Sequence, residues 1–514
     1  MPIPLRPGPL LLALLLALLP AAVTSPGRDE ETLADFRRYF PKYEDTASRV
    51  EAVLALEEEE SPEVVDALLV ALAHEEPAVV RAAVRVLGGF ATRPPVERIA
   101  ALLGQRTSPP VKEGLLRAVE TGRYRDLSEV LLPCLEDPAW GVRRGAIGAL
   151  VATGDGGAAA AIALRCADKE PAVRCAALDG LAALGARPVV ALALARLEDE
   201  VWQVRASAIH ALGTVRDRES IGPLIARLGA EEGRLVADIA AALAAITGQD
   251  MGARVELWRK FWDSYGDRFQ IPTDEELRRL RERQQERREQ YQPPPGAVTY
   301  HGVDTPSRSI LFVIDVSGSM EQEVVDRERY AGGGYPSLRR IDIVKTELQR
   351  TIAALEPFVE FNIFAFATDV DAWKKKLVRA NVLNKSSAND WVGKREAIGG
   401  ASKEDLAAAG LVASANLEAG RTNTYAALME ALGVAPGSDA AKSYAVAVDT
   451  IFFLSDGRPS AGEYVDPKDI LREVREVNAL RKVVIHTLAI GEFQKEFMRQ
   501  LAAENGGVFV DLGR

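Results

Sequence analysis

The spacing of apolar residues divides the chain into two regions with different periods. From about residue 29 to residue 250, Ala, Leu and Val recur three and four positions apart, which is the spacing of one face of an α-helix. Beyond Tyr300, continuous apolar runs alternate with amphipathic segments, as buried parallel strands alternate with the helices that join them. The pattern therefore predicts a multidomain protein in which an all-α region precedes a doubly wound α/β domain.

The apolar runs of the second region also give the expected positions of its strands. These runs cover residues 309–316, 359–367, 450–456, 483–491 and 508–512. Helices are predicted between them, in the segments 341–355, 425–433, 466–480 and 496–505. Because the runs are apolar on both faces, helices should cover both sides of the sheet, and a binding site should lie at the carboxyl ends of the strands.

The helical region repeats itself every 31 residues. Pairs of valine and a basic residue mark the repeat: Val80-Arg81, Val111-Lys112, Val142-Arg143, Val173-Arg174 and Val204-Arg205. Acidic or acidic-proline turns such as EDPAWGV and KEPAV precede them and favour a helix start, and a second helix follows in each unit. Two helices at a fixed period indicate an α-solenoid over residues 29–250, whose units bury their apolar faces by stacking.

These units resemble HEAT-type repeats of the short family found in phycobilin lyases. The resemblance rests on the (D/E)-P-x-x-V-R-x-x-A pattern, and it implies a fold more than a function. The repeated basic residues have two interpretations, a ladder that binds a ligand or a set of ion pairs to acidic groups of the neighbouring repeat. We expect the second, structural role.

A connector separates the two regions, at residues 251–298. It begins with aromatic residues at helical spacing: Trp258, Phe261, Trp262, Tyr265 and Phe269. They are expected to cap the end of the solenoid, with a membrane-interface or ligand-stacking surface as the alternative. Residues 274–290 carry six acids and six arginines and predict a solvated helix, which the prolines at 293–295 end. The α/β domain is therefore assigned to residues 299–514.

Residues 1–24 have the features of a secretory signal peptide. One positive charge at Arg6 precedes a Leu/Ala run from Leu10 to Leu19, and small residues follow. The run is too short to span a bilayer, so we expect an exported mature chain, secreted or extracytoplasmic, without a transmembrane anchor. The alternative is a buried Leu-rich helix of the mature fold.

Charge and cysteine content argue against a nucleic-acid-binding protein, a disulfide-rich domain and a structural zinc site. The net charge is −11 and no concentrated basic face is visible, so nucleic acid is not an expected partner. Three cysteines build no disulfide framework, and none has the spacing of a structural zinc site. Cys166 and Cys175 either pair across a turn, as export would permit, or are buried thiols.

Residues that could bind a metal lie in three loops, and all three loops are predicted to lie at the carboxyl edge of the sheet. Asp315, Ser317 and Ser319 follow the first strand as the pattern DxSxS, and three oxygen donors in one tight loop suit a hard divalent cation. Thr422 precedes a predicted helix in a G-x-T-N segment, and Asp456 ends a strand in SDG.

These three elements in this order resemble the von Willebrand factor A domain with its metal-ion-dependent adhesion site, over residues 305–514. The resemblance implies that Ser317, Ser319 and Thr422 offer hydroxyl oxygens to Mg²⁺ or Mn²⁺, while Asp315 and Asp456 hold the ion directly or through water. It also implies a partner protein that presents an Asp or Glu carboxylate as a further ligand. The alternative is that these residues serve as helix caps and turn formers.

Two loops depart from the family pattern, residues 321–339 and 384–419. Loops at the rim of a site set its specificity, and these two are expected either to do so or to cover the metal edge.

The sequence therefore predicts an exported, non-enzymatic binding protein, in which the solenoid supplies a second interaction surface. No nucleophile elbow, HExxH or phosphate-binding loop motif occurs. Two alternatives stay open at this point. One is an assembly or metal-insertion cofactor of an ATPase complex, and the other is a lyase-type enzyme by analogy with the HEAT repeats.

Overall fold

The computed structural model describes residues 28–154, 156–280, 303, 305–330, 332–398, 420–434, 446–456, 458–491 and 495–512. The signal segment 1–24, the prolines at 293–295 and most of the loop 384–419 lie outside the described residues. What the sequence predicts for these segments stays a prediction.

The first region is a stack of helix pairs. Its helices are α1 (Arg28–Tyr39), α2 (Thr46–Leu54), α3 (Pro62–Leu72), α4 (Pro77–Gly88), α5 (Arg93–Leu103), α6 (Pro109–Gly122), α7 (Ser128–Leu131), α8 (Trp140–Thr153), α9 (Ala159–Arg165), α10 (Pro171–Ala183), α11 (Val189–Leu194), α12 (Trp202–Val215), α13 (Ile221–Leu228) and α14 (Arg234–Thr247). The helices with the repeated basic residues, α4, α6, α8, α10 and α12, pack in succession and share one apolar core. The predicted all-α solenoid is confirmed.

Four of the five repeated basic residues form ion pairs with the next repeat. Arg143 donates from Nε and Nη2 to the carboxylate of Asp168, at 2.8 and 2.7 Å, and Arg174 binds Asp199 in the same way. Lys112 pairs with Asp137 at 3.1 Å, one repeat earlier. Arg205 pairs with Glu231 in a similar way. The structural role expected for the repeated basic residues is confirmed for these four, whereas Arg81 pairs with acidic residues of the second region.

The cysteines are buried free thiols. Cys166 follows the last turn of α9, whereas Cys175 lies within α10 beside Ser207 of α12. Burial raises the pKa of the Cys166 thiol to about 11. The alternative that Cys166 and Cys175 form a disulfide is therefore wrong for this structure, because the two side chains belong to different packing contacts.

The aromatic residues of the connector pack onto the end of the solenoid. They lie on and after α15 (Val255–Tyr265), where Trp258 is fully buried and donates from Nε1 to the carbonyl of Gly252 at 2.8 Å. The ring of Phe261 meets that of Phe269 edge-on, at 5.7 Å between centroids. A further helix begins at residue 274, where Thr273 and Glu276 cap each other's backbone.

The second region is a mainly parallel sheet with helices on both faces. Its strands are β1 (Ser309–Asp315), β2 (Glu360–Phe366), β3 (Val370–Ala372), β4 (Val378–Arg379), β5 (Thr450–Ser455), β6 (Val484–Ala489) and β7 (Phe509–Asp511). Their order in the described sheet is β3-β2-β1-β5-β6-β7, and β3 and β4 both run antiparallel to β2. The other pairs are parallel, so the carboxyl ends of β1, β2 and β5 share one edge.

The helices of this region divide the core into two apolar clusters. They are α16 (Arg327–Tyr330), α17 (Arg340–Ala354), α18 (Val382–Gly393), α19 (Thr424–Ala431), α20 (Pro467–Arg481) and α21 (Lys495–Glu504). Side chains of α17 and α18 cover one face of the sheet, and those of α19, α20 and α21 cover the other. The predicted doubly wound α/β fold is confirmed. Among the described residues, no helix is both long and apolar enough to cross a membrane.

Candidate metal centre

The first loop of the candidate site leaves the carboxyl end of β1. Asp315 is the last residue of the strand, and its Oδ1 accepts a hydrogen bond from the backbone N–H of Ser317 at 2.8 Å. Its other oxygen accepts from the hydroxyl of Ser455, on the neighbouring strand β5, at 2.6 Å. These two hydrogen bonds hold the carboxylate of Asp315 in place without a bound ligand.

The second loop follows β5 and joins the first through its side chains. Asp456 comes directly after the strand, and its Oδ1 accepts from the hydroxyl of Ser319 at 2.7 Å. The hydroxyl oxygens of Ser317 and Ser319 lie 3.2 Å apart. Four of the five predicted site residues, Asp315, Ser317, Ser319 and Asp456, therefore share one hydrogen-bonded network.

The third loop brings Thr422 to the same edge of the sheet. The backbone N–H of Gly318 donates to the carbonyl of Gly420 at 3.1 Å, which ties this loop to the first one. Asn423 N–H donates to the carbonyl of Ala367 at 2.8 Å, next to the end of β2, and its side chain caps α19. Thr422 itself is buried.

A fourth segment, after Asp456, holds the backbone of Thr422. The hydroxyl of Ser460 accepts from Thr422 N–H at 3.0 Å, and Ser460 N–H donates to the carbonyl of Thr422 at 2.9 Å. Sequence reasoning missed Ser460, because a serine in a loop has no distinguishing pattern.

The two carboxylates lie in a setting that disfavours two negative charges. Asp315 is fully buried and Asp456 is 1% exposed. Loss of solvation, and then the charge of Asp456, raise the pKa of Asp315 to about 7. A cation between them would offset both effects, since like charges in a buried site repel each other and a positive ion reverses that repulsion.

One cation of the protein already reaches this site. Arg340, the first residue of α17, places Nη1 2.5 Å from Oδ2 of Asp456 and 3.4 Å from the carbonyl of Ser319. The side chain of Arg340 is 6% exposed, so this ion pair is buried. A Cβ at Gly491 would lie 2.8 Å from the carbonyl oxygen of Asp456 and 3.5 Å from Nη1 of Arg340, so the absence of a side chain there leaves room for the pair.

The donor set fits a hard divalent cation. It consists of the hydroxyl oxygens of two serines and a threonine and the carboxylates of two aspartates, which are the ligands that Mg²⁺ prefers. Within the described part of the chain, no group of three His, Cys, Asp or Glu side chains is arranged to bind a metal. A cation here would therefore depend on the hydroxyl oxygens. Both carboxylate oxygens of Asp456 already accept hydrogen bonds, Oδ2 from Arg340 and Oδ1 from Ser319, so an ion would compete with Arg340 or take the place of the Ser319 proton.

The described part of the loop 321–339 folds back on the domain. Val324 N–H donates to the carbonyl of Leu338 at 3.0 Å, and the hydroxyl of Tyr330 donates to the carbonyl of Leu512 beyond β7. Val324 and Tyr330 belong to one of the two apolar clusters. This loop is thus anchored beside the first site loop, where Arg339 pairs with Glu321 at 2.7 Å.

Comparison with known families supports the assignment of both regions. Residues 160–244 match the family model of HEAT repeats, and residues 336–511 match that of the von Willebrand factor type A domain. The chain therefore carries both kinds of unit, as the sequence resemblances imply. Domains of the second type generally mediate protein–protein interaction rather than catalysis.

Among curated proteins, this chain is similar to parts of much longer ones. Inter-alpha-trypsin inhibitor heavy chain H4 of Homo sapiens is 29% identical over 210 residues, which make up 40% of this chain and 18% of that protein. Heavy chain H1 of Mesocricetus auratus is 28% identical over 203 residues, 39% of this chain and 18% of that protein. The match thus spans less than a fifth of the length of each relative.

Similarity to solved structures is limited to part of the fold. A von Willebrand factor type A protein from Catenulispora acidiphila has a TM-score of 0.27 and 16% identity, covering 40% of this chain and 39% of that one. A similarity this low carries no conclusion about function.

Proposed function

We propose that this chain, which joins HEAT repeats to a von Willebrand factor type A domain, captures a partner protein through a divalent cation. Asp315, Ser317, Ser319, Thr422 and Asp456 would hold Mg²⁺ or Mn²⁺. The observation that carries this proposal is the network in which Ser319 donates to Asp456 while Ser455 and Ser317 fix the carboxylate of Asp315.

The chemistry of the donor set favours an acidic partner. When bound, the cation supplies a positive centre with a coordination position left open for a carboxylate oxygen. The two aspartates carry two negative charges, and the guanidinium of Arg340 offsets one of them. The loaded site would therefore keep a positive charge, which attracts an Asp or Glu of the partner in surroundings of low dielectric.

We further propose that the protein is not an enzyme and acts outside the cytoplasm. The amino-terminal segment 1–24 supports export, and the solenoid offers an extended second surface for interaction. The oxygen donors of the site residues are suited to hold an ion and, through it, a ligand. The partner's identity would be set by the loops around the metal.

A binding assay with defined peptides tests the proposal. Immobilised peptides that differ only in one residue, Asp or Asn, are exposed to the full chain in Mn²⁺, in Mg²⁺ and in EDTA. We expect binding only to the Asp peptide and only with a divalent ion, and loss of that binding in Asp315→Asn. Equal binding to both peptides, or binding that persists in EDTA, would overturn the proposal.

A second arm of the same assay extends the test to natural partners. The tagged chain captures proteins from the native extracellular fraction in Mn²⁺, and EDTA then elutes them. Proteins that EDTA releases from the wild-type chain but that Asp315→Asn does not retain are the expected result. A protein set that is identical for both chains would show that capture does not use the metal site.

A further inference from the structure

The described residues of the loop 456–466 connect the candidate metal site to the surface of the solenoid. It begins with a predicted metal ligand, Asp456, and four residues later Ser460 holds the backbone of Thr422 from both sides. A Cβ at Gly462 would overlap Oδ1 of Asn423, so the loop also packs closely against the residue after Thr422. Two of the three site loops therefore depend on the position of this one segment.

The far end of this loop is bound by one arginine of the solenoid. Arg81, on α4, donates from Nε to the hydroxyl of Tyr464 at 2.9 Å and forms an ion pair with Glu463. Its Nε also lies 3.1 Å from Oε2 of Glu473, on α20. The side chain of Arg81 is only 14% exposed, so these contacts are largely shielded from water.

Among the described residues, Arg81 does not take part in the ion pairs that join successive repeats of the solenoid, so it can make this contact. Lys112, Arg143 and Arg174 each pair with an aspartate 25 residues later in the chain. The residue 25 positions after Arg81 is Arg106, and a second arginine cannot complete such a pair. Arg81 is thus the repeated basic residue that binds the α/β domain instead of the next repeat.

We propose that Arg81 is a positioning residue for the metal site. By holding Glu463 and Tyr464, it fixes the loop in the position from which Ser460 orients Thr422 and from which Asp456 faces Ser319. Residues that orient metal ligands without touching the ion typically change metal affinity by about 10- to 100-fold when they are replaced. This inference rests on the proposed function, because it concerns the same cation site.

The coupling is reciprocal by thermodynamic necessity. If the contact between Arg81 and the loop favours cation binding, then a bound cation must strengthen the attachment of the loop to the solenoid by the same factor. The attachment of the solenoid to the α/β domain would then depend on whether a cation occupies the metal site.

Calorimetric titration of the full chain with Mn²⁺ tests this inference. Arg81→Met should weaken Mn²⁺ binding roughly tenfold, and Arg81→Lys should restore part of the affinity. Glu463→Gln removes the charge of the ion pair on the exposed side of the loop, and it should weaken Mn²⁺ binding in the same direction.

Arg117→Met is the matched control. Arg117 forms an ion pair with Glu476, which crosses between the same two domains but ends on α20. It shares the charge of Glu473 with Arg81, so the comparison separates the contacts of Arg81 with the loop from the electrostatics common to this interface. We expect this variant to bind Mn²⁺ like the wild-type chain. The double variant Arg81→Met, Ser460→Ala should lose less Mn²⁺ binding free energy than the sum of the losses in the two single variants, because both substitutions act through Thr422.

The outcomes separate this inference from the proposed function. If the wild-type chain binds Mn²⁺ and Arg81→Met and Glu463→Gln bind it equally well, Arg81 does not position the site and the inference is overturned. An equal loss in Arg117→Met also overturns it, since any weakening of the interface would then suffice. If the wild-type chain itself fails to bind Mn²⁺ or Mg²⁺, the proposed function is wrong, and this inference with it.

Discussion

The guanidinium of Arg340 and the carboxylate of Asp456 form a buried ion pair with 2.5 Å between Nη1 and Oδ2. Asp456 also accepts from Ser319 through its other oxygen. The pair therefore sets how much negative charge the site can offer to a cation.

Replacing Arg340 should raise cation affinity. In Arg340→Met the full charge of Asp456 becomes available to the ion, and the repulsion between the guanidinium and the ion disappears, so we expect at least about tenfold tighter Mn²⁺ binding by calorimetry. Without metal, the same variant should be less stable by roughly 3–5 kcal/mol, because a buried carboxylate loses its partner. Arg339→Met is the control, since Arg339 pairs with Glu321 and Asp342. Unchanged affinity in Arg340→Met would show that Asp456 does not face the ion.

Asp315→Asn should abolish measurable Mn²⁺ binding while the domain stays folded. The amide of Asn can still occupy the place between Ser317 and Ser455, but it lacks the charge that the ion requires. Titration calorimetry and circular dichroism of the same sample check both parts. The control is Asp449→Asn, at the opposite end of β5, where Asp449 accepts from Ser307. Loss of Mn²⁺ binding in both variants would indicate a general effect of charge.

Thr422→Ala should weaken Mn²⁺ binding less than Asp315→Asn does, because it removes one neutral oxygen and leaves the charge of the site unchanged. Thr422→Ser keeps the hydroxyl and should behave like the wild-type chain. Capture of the Asp peptide should fall with the alanine variant at low Mn²⁺ and recover as Mn²⁺ is raised, by mass action. Capture that is indifferent to Thr422→Ala would place the binding surface elsewhere.

His486 should make the α/β domain sensitive to acid. Burial, and then the charge of Arg234, lower the pKa of this histidine from 6.5 to about 4, and its Nδ1 accepts from Val508 N–H at 3.0 Å. The unfolded chain therefore takes up the proton first, so the stability contributed by neutral His486 is present above pH 6.5 and is lost as the pH falls towards 4. The loss amounts to roughly 3 kcal/mol at about 1.4 kcal/mol per pH unit.

Hydrogen exchange in β6, corrected for the intrinsic pH dependence of exchange, measures this effect. In His486→Gln the free energy of opening should vary less between pH 6.5 and 4 than in the wild-type chain. His210→Gln, at an exposed position of α12, should leave the wild-type pH dependence unchanged. A wild-type domain whose exchange is independent of pH in this range would contradict the prediction.

Most of the fold could be predicted because it depends on local periodicity. The strand predicted over 309–316 is Ser309–Asp315, and the one predicted over 450–456 is Thr450–Ser455. In both cases the last predicted residue, Val316 or Asp456, has left the strand to begin a site loop. The strands β3 and β4 were not predicted, since segments of three and two residues are too short to show a period of two.

Only those residues of the candidate site that belong to a recognisable motif could be predicted. Asp315, Ser317 and Ser319 are close in sequence, and a family resemblance adds Thr422 and Asp456. The roles of Arg340 and Arg81 at the site could not be predicted in this way, because their partners lie 116 and 382 residues away. Arg340 stands at the start of a helix and Arg81 within a repeat helix, and neither position indicates a distant partner. Such contacts depend on how the sheet and the solenoid bring distant segments together.

Diffraction from crystals of the full chain grown with Mn²⁺, recorded at the manganese absorption edge, tests the central claim most directly. The account predicts one anomalous peak at the carboxyl edge of β1 and β5, within coordination distance of the hydroxyl oxygens of Ser317 and Ser319. The peak should be absent in crystals of Asp315→Asn. A peak at another position, or none in the wild-type protein at saturating Mn²⁺, would contradict the claim that these loops form a cation-binding site.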